Sequence, residues 1–300
     1  MKKRGTILFA LPGNEEFTEK LASHLNIENG VSVIRQFPDG ETYVQIQSDV
    51  KNKRVILVCT LHLPDNKLLP LYFLSKTAKN LGAESICLVA PYLAYMRQDK
   101  RFTPGEGITS KYFGKLVPIF AESLITVDPH LHRKKSLNEV YNIPNKVIHS
   151  ANLISEWIKS NIKDPVLIGP DIESKQWVSK VAKNAGTPFI VLEKTRLGDK
   201  KVLIFLPKVD AYKNHTPVLI DDIISTAVTM IETTVQLKKT GMKPPVCIGI
   251  HAVFAGNAYQ DLLNAGVADI ITCNTIPHKS NRIDISKNIA EAIDIQIHQE

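Results

Sequence analysis

The sequence predicts an α/β protein made of two tandem, similar domains, each a mostly parallel sheet flanked by helices. Three observations carry that expectation. Short β-rich runs alternate with amphipathic helical patterns throughout the 300 residues, the pitch that produces parallel strands with crossover helices on both faces. The length suits two domains of ~100–200 residues each. The pattern also runs twice: AESICLVAPY is echoed by KPPVCIGIHA, both apolar with a cysteine near the start, and LITVD is answered by IITCN.

In chain order the expected strands are TILFA, VSVIRQF, TYVQIQ, RVILVC, SICLVA, LITVD, KVIHS, VLIGP, FIVLE, VLIFL, PVLID, VCIGIHAV and DIITCN. They are short and rich in β-branched or aromatic residues, and most are bounded by turn residues. The opening MKKRGTILFALPGNEEF mimics a signal peptide in its basic start and short apolar run. No small-x-small site follows, however, and Glu15 and Glu16 close the run, so it reads as a strand and a turn. Ser150 is placed to cap ANLISEWIKSN, in which Leu153, Ile154, Trp157 and Ile158 share a face. From Glu173 to Ala185, Trp177, Val178, Val181, Ala182 and Ala185 fall together, and Gly186 stops the helix. Thr229 to Thr240 runs into Gly241 in the same way. Pro144 interrupts a polar stretch between Tyr141 and Ser150, which places the domains at 1–146 and 147–300. The last residues, about 15 of them, are expected to return to the first domain.

The composition is 44% hydrophobic and 22% charged with 15 Gly and 17 Pro, which excludes disorder, collagen and coiled coil. A chain this long buries roughly three quarters of its unfolded surface and needs no disulfide or metal to hold it. No run approaches the ~18 apolar residues of a membrane span, so no membrane partner is expected. Cys59, Cys87, Cys247 and Cys273 lie far apart inside apolar runs without zinc-ligand spacing. They read as free thiols in a reducing, cytoplasmic setting. Thirty-seven Lys and Arg against 30 Asp and Glu leave a net charge of +7, which favours a nucleic acid or a phosphorylated small molecule as partner. No nucleic-acid module and no basic stripe interleaved with aromatics is present, so nucleic acid is not expected.

Ligands of open α/β sheets bind beyond the carboxyl ends of the strands. In PVLIDDIISTAVTMIE, residues 217–232, a strand ends in Asp221 and Asp222, and a Ser/Thr loop leads into a helix. Adjacent carboxylates leaving a buried strand are costly unless something positive or hydroxyl-rich meets them. A hydroxyl-rich loop at a helix N-terminus is a phosphate cradle. Acids for ribose hydroxyls beside such a cradle describe a phosphoribosyl site; an acidic helix cap without ligand is the alternative. In LITVDPHLH, Asp128, His130 and His132 follow a strand end, where imidazole and carboxylate suit a divalent metal or its water. For His132 a structural role is the simpler reading. VLIGPDIES places Asp171 and Glu173 after another strand. Two basic segments, PYLAYMRQDKR (91–101) and EKTRLGDKK (193–201), carry Arg97, Gln98, Lys100 and Arg101, and Lys194 and Arg196. The second reads as a glycine-containing loop, and either alone could be a solvated face. TPGEGITSK (103–111) does not match the standard P-loop.

Taken in order, these segments resemble the ribose-phosphate pyrophosphokinase family across nearly the whole chain. FPDGE (37–41) resembles its adenine-contacting loop, PYLAYMRQDKR its ATP-binding segment and TVDPH its metal-binding His segment. KTR resembles its catalytic flexible loop and IDDIISTAVT its ribose 5-phosphate loop. The resemblance implies two phosphoribosyltransferase-type domains and a transferase that serves nucleotide biosynthesis. In it the diphosphoryl group of MgATP passes to the 1-hydroxyl of ribose 5-phosphate, giving 5-phosphoribosyl 1-diphosphate and AMP. Phe37, Asp39 and Glu41 would hold the adenine of ATP bound to a neighbouring subunit, and Arg97 and Gln98 the nucleotide. His130 and Asp171 would serve Mg²⁺. Asp221 and Asp222 would hold the ribose hydroxyls, and Ser225, Thr226, Ala227, Val228 and Thr229 the 5-phosphate. Lys194 and Arg196 would close over the β-phosphorus as the catalytic pair. A homo-oligomer, dimer-based and up to a hexamer, is implied too.

The chain departs from the family where Val228 replaces a usual Gly, where Ser225 replaces a frequent acid, and where Ile172, Glu173 and Ser174 replace small glycine-rich residues. A β-branched residue resists positive φ. The cradle is therefore expected to differ in conformation or to hold phosphate more weakly. A diphosphokinase on another pentose phosphate, or a catalytically impaired regulatory relative, remain as alternatives.

Overall fold

The computed structural model describes residues 5–131, 133–196, 202–205 and 209–299, with the side chains of 173, 193–196, 202–205, 209, 210, 298 and 299 excepted. Contacts divide the chain into two units, Met1–Ile148 with Ser286–Glu300, and His149–Ile285.

The first unit begins with β1 (Thr6–Ala10), α1 (Glu15–Leu25) and β2 (Glu28–Asn29). A hairpin follows, β3 (Ser32–Gln36) and β4 (Thr42–Ile46). The chain then alternates through β5 (Arg54–Val58), α2 (Asp65–Asn80), β6 (Ser85–Ala90), α3 (Thr109–Leu116), β7 (Ser123–Val127) and β8 (Asn145–Ile148). Six strands form one sheet in the order β2-β1-β5-β6-β7-β8, and every pairing is parallel. The central strands are continuous apolar runs because helices cover both faces; all five residues of β7 are buried. The β3–β4 hairpin is antiparallel and stands outside this sheet. Its Ile34, Val44 and Ile46 pack on the same core as Leu68 and Tyr72 of α2.

The second unit opens with α4 (Ala151–Asn161) and then repeats the plan. In order come β9 (Pro165–Gly169), α5 (Lys175–Ala185), β10 (Phe189–Val191), the hairpin β11 (Glu193–Arg196) and β12 (Val202–Phe205), and β13 (Thr216–Ile224). After them follow α6 (Val228–Lys239), β14 (Val246–Ala252), α7 (Ala258–Asn264), β15 (Asp269–Cys273) and β16 (Asn281–Ile283). The sheet order is β10-β9-β13-β14-β15-β16, again parallel. Strand for strand this is the order of the first sheet. The echo between AESICLVAPY and KPPVCIGIHA therefore links β6 to β14, and LITVD and IITCN link β7 to β15.

The helix that follows each sheet's last strand belongs to the other unit. α4 follows β8 and packs on α5, whereas α8 (Ser286–Gln299) follows β16 and packs on α1. In the first unit Arg54 Nη1 donates to the Ile297 carbonyl at 2.6 Å, and the Ser286 hydroxyl and His24 Nε2 are 3.3 Å apart.

Several expectations change. β2 and β16 carry no apolar run and were not anticipated. FIVLE divides at Leu192 between sheet strand β10 and hairpin strand β11. Lys194 and Arg196, expected on a loop, lie in β11, where Lys194 is paired with Ile204 and Arg196 with Val202. Ser150 occupies the N-cap of α4, but its side chain makes no cap hydrogen bond. Gly186 does end α5, in the left-handed region with φ 69°, its N–H donating to the carbonyls of Ala182 and Lys183. None of the four cysteines is in a disulfide; Cys87 is half-buried and the other three are buried. Among the described residues no helix is long and apolar enough to cross a membrane.

Candidate active site

In the second unit the acidic strand ends converge. β13 lies between β9 and β14, and Asp221 is in register with Gly249. A Cβ at Gly249 would come within 2.6 Å of Ile224 Cγ1, so glycine is what lets Ile224 lie flat across the neighbouring strand. The sequence reading ended the strand at Asp221, but the ladder continues through Ile223 and Ile224. Asp221 is thus held by backbone pairing, and Asp222, next in the strand, donates its N–H to Asp221 Oδ1 at 2.9 Å. Burial pushes the Asp221 carboxyl well above the usual range, and the charge of Asp222 and then that of Asp171 push it further. Asp171 caps the turn Ile172–Ser174 by accepting from Ser174 N–H at 3.1 Å, while the Ser174 hydroxyl donates to the Asp171 carbonyl at 2.6 Å. Gly169 allows that turn to fold back, since a Cβ there would lie 2.7 Å from Ser174 Oγ.

The loop after β13 is laced to the loop after β14. Phe254 N–H donates to the Ile224 carbonyl at 2.8 Å and Ala255 N–H to that of Ser225 at 3.1 Å. Ala227, at φ 57°, is the N-cap of α6 and gives the helix no side-chain cap bond. The first turn of α6 carries partial positive charge, suited to an anion. Val228 is not the left-handed residue that its place in the motif suggested. Ala227 takes that conformation, and Val228 starts the helix with its side chain 46% exposed. The hydroxyl residues Ser225, Thr226 and Thr229 lie on both sides of this turn. The counterpart loop of the first unit, between β5 and α2, runs Cys59-Thr60-Leu61-His62-Leu63-Pro64 and has no carboxylate.

In the first unit Phe37, Asp39 and Glu41 sit at the exposed tip of the β3–β4 hairpin. Phe37 N–H donates to the Glu41 carbonyl at 2.8 Å, Gly40 turns the chain at φ 91°, and Glu41 N–H donates to Asp39 Oδ1 at 3.2 Å. The Arg35 guanidinium lies 4.8 Å from the Phe37 ring centroid and 4.3 Å from that of Tyr43. Arg97 is exposed after β6. Gln98 is anchored to the start of α3, its carbonyl accepting from Ser110 N–H at 3.3 Å and its side chain 3.3 Å from the Thr109 hydroxyl. His130 is half-buried beyond β7, after Asp128, whose N–H donates to the Ile148 carbonyl at 3.0 Å.

The residues overlooked by the sequence reading are Asp99 and Arg133. Asp99 is the one acid in the basic run PYLAYMRQDKR, and that isolation was the available signal. It pairs with Arg133 Nη1 at 3.1 Å, which ties the Arg97–Gln98 segment to the His130 segment. The side chains of Lys194 and Arg196, and His132 altogether, lie outside the described residues.

Residues 6–118 match the family model of the N-terminal domain of ribose phosphate pyrophosphokinase, and residues 136–287 match that of the phosphoribosyl transferase domain. The chain is 32% identical over 291 residues to a ribose-phosphate pyrophosphokinase of Saccharolobus solfataricus, with 94% of this chain and 97% of that protein covered. It is 30% identical over 290 residues to one of Methanopyrus kandleri, covering 96% and 98% respectively. In fold it is similar to the phosphoribosylpyrophosphate synthetase of Mycobacterium smegmatis, with a TM-score of 0.86, 23% identity, and 99% and 100% of the two chains covered.

Proposed function

This chain belongs to the ribose-phosphate pyrophosphokinase family, and from that premise we propose that it transfers the diphosphoryl group of MgATP to the 1-hydroxyl of ribose 5-phosphate. The products are 5-phosphoribosyl 1-diphosphate and AMP. The observation that carries the reading is the succession, on one strand and turn, of Asp221 and Asp222 and the hydroxyl-flanked N-terminus of α6. Carboxylates accept hydrogen bonds from the ribose hydroxyls, while the N–H groups and the hydroxyls of Ser225, Thr226 and Thr229 receive the 5-phosphate. Ala227 and Val228 contribute backbone to this cradle.

ATP falls to the other unit. Arg97 and Gln98 hold the nucleotide, and the exposed hairpin tip of Phe37, Asp39 and Glu41 offers a ring face and acceptors to an adenine bound by a neighbouring subunit. In such a homo-oligomer a monomeric preparation is inactive. Lys194 and Arg196 meet the negative charge that builds on the phosphoryl oxygens as the bond to AMP breaks. Oriented reactants and neutralised charge, rather than a covalent nucleophile, are what this chemistry requires.

The donor set fits a divalent cation. Burial and the charges of Asp222 and Asp171 raise the proton affinity of Asp221, and a cation relieves that repulsion. Among the described residues no three His, Cys, Asp or Glu side chains form a cage by themselves. That suits Mg²⁺, which keeps water and substrate oxygens around one or two carboxylates. Asp171 and, in the other unit, His130 are the residues assigned to Mg²⁺ sites. When bound, Mg²⁺ neutralises phosphate and diphosphate charge.

The test is direct. Protein incubated with MgATP and ribose 5-phosphate gives equal amounts of AMP and 5-phosphoribosyl 1-diphosphate, and Lys194→Ala lowers kcat by about 10²–10³-fold, the scale of losing one charge-stabilising donor. AMP formed only with a different pentose phosphate assigns the enzyme to that sugar.

A further inference from the structure

We propose that the ion pair between Asp99 and Arg133 is a positioning device for the nucleotide, holding the Arg97–Gln98 segment in its ATP-binding position against the His130 segment. The inference rests on the reading of those segments given above. The Asp99 side chain is only 5% exposed and that of Arg133 33% exposed. A carboxylate so nearly withdrawn from water needs a charged partner, and Arg133 Nη1 supplies one at 3.1 Å. Asp99 follows Gln98 directly, and Arg133 lies three residues after His130. The pair therefore fixes the distance between the two segments that the family reading gives to nucleotide and metal.

Arg133 grips the same segment a second time. Its guanidinium lies 5.5 Å from the Phe102 ring centroid, and Lys100 Nζ lies 5.1 Å from that ring. Phe102 is 57% exposed, so cation–ring contacts rather than core packing locate it. Beyond it the chain closes on itself. Glu106 accepts from the N–H groups of Phe102 and Thr103, at 2.7 and 3.1 Å, and Arg101 Nε donates to the Glu106 carbonyl at 2.9 Å. At its other end the segment is fastened by Gln98 to Thr109 and Ser110. Residues 98–110 thus form a strap pinned at the start of α3 and, through Arg133, beside His130. Arg97 stands at its root, one residue before the anchored Gln98. No side chain of the pair needs to touch ATP; displacing the strap moves the residues that do.

The experiment is steady-state kinetics on the full chain with MgATP and ribose 5-phosphate varied separately, for wild type, Asp99→Asn, Arg133→Met, Arg133→Lys and the Asp99→Asn/Arg133→Met double variant. The expected result is a rise of about tenfold in KM for ATP in each neutralised single variant, the scale of one lost charge-assisted contact. KM for ribose 5-phosphate stays within about twofold and kcat within about threefold of wild type. The double variant is no worse than the poorer single one, because both remove one interaction. Arg133→Lys, which keeps the charge, recovers at least half of the lost affinity. An unchanged KM for ATP in folded variants, or additive losses in the double variant, overturns the inference. A wild-type protein that forms no AMP instead refutes the proposed function, and the two failures are told apart by that control. Thermal melts of each variant separate poor folding from poor positioning, and a loss of kcat that tracks melting temperature with KM unchanged makes the pair merely structural.

Discussion

Asp171, just beyond β9, adds its charge to the repulsion already acting on Asp221, inside β13. With the Asp221 carboxyl held well above its unfolded range, the folded chain binds a proton more readily than the unfolded one. Stability contributed by the protonated form is thus present at low pH and falls as pH rises through the window above the usual carboxylate range. Asp221→Asn keeps an acceptor for Asp222 N–H but removes the charge. We expect the ligand-free protein to melt higher by ~2–4 °C, the effect of about 1 kcal/mol in a chain of this size. Catalysis should be lost, and the stabilisation of wild type by millimolar Mg²⁺ should disappear. Calorimetry at pH 5 and pH 8 checks both points, since wild type should gain more from Mg²⁺ at pH 8.

Gly169 tests how tightly Asp171 is placed. Its absent Cβ would meet Ser174 Oγ at 2.7 Å and Val178 Cγ2 at 3.0 Å. Gly169→Ala should cost roughly 1–3 kcal/mol through overpacking and raise the Mg²⁺ concentration needed for half-maximal activity. Adding Ser174→Ala should recover part of the stability by removing the nearer atom. Denaturant titration and a Mg²⁺ activity curve measure the two effects.

The Tyr95 hydroxyl is hydrogen bonded to Asp65 in the first turn of α2, and the residue is itself left-handed at φ 60°. Desolvation, then the bond to Asp65 and its charge, push the phenol up to about 12 from 10.0. A raised acid pKa means stability that is complete below pH 10.0 and declines as pH rises towards 12. Tyr95→Phe should remove this alkaline slope while lowering the plateau near neutral pH. Urea midpoints measured from pH 8 to pH 11.5 would show it, and an unchanged slope would remove Tyr95 as its source.

Tyr141 is 1% exposed in the first core, and its hydroxyl finds no hydrogen-bond partner among the described residues. A buried unsatisfied hydroxyl costs about 1–3 kcal/mol. Tyr141→Phe should therefore raise the melting temperature by a few degrees, about 2–4 °C per kcal/mol, with catalysis untouched. A lower melting temperature would mean that the hydroxyl is satisfied in solution.

Much of this was legible in the sequence because doubly covered parallel strands are mostly apolar, as residues 55–58 of β5 and 246–250 of β14 are. Gly186 and Gly241 marked helix ends for steric reasons that no neighbour alters. β2 and β16 were not legible, since Glu28–Asn29 and Asn281–Ile283 are short and carry little apolar signal. α2 was not singled out; Pro70 stands inside it, where proline ordinarily interrupts a helix. Asp221 and Asp222 stood out as acids ending an apolar run. Asp99 and Arg133 did not, because 34 residues separate them and each alone resembles solvated charge. Val228 misled in an instructive way: the motif located the turn, but the left-handed residue within it is Ala227.

The exchange of α4 and α8 between the units bears on how the chain is made. During synthesis the first sheet is finished once β8 has emerged, yet the face of α1 that α8 covers stays open until residues 286–299 are available. Domains usually fold in the order in which they are translated; here the first must wait for the second. A product lacking residues 286–299 would leave that face of α1 uncovered.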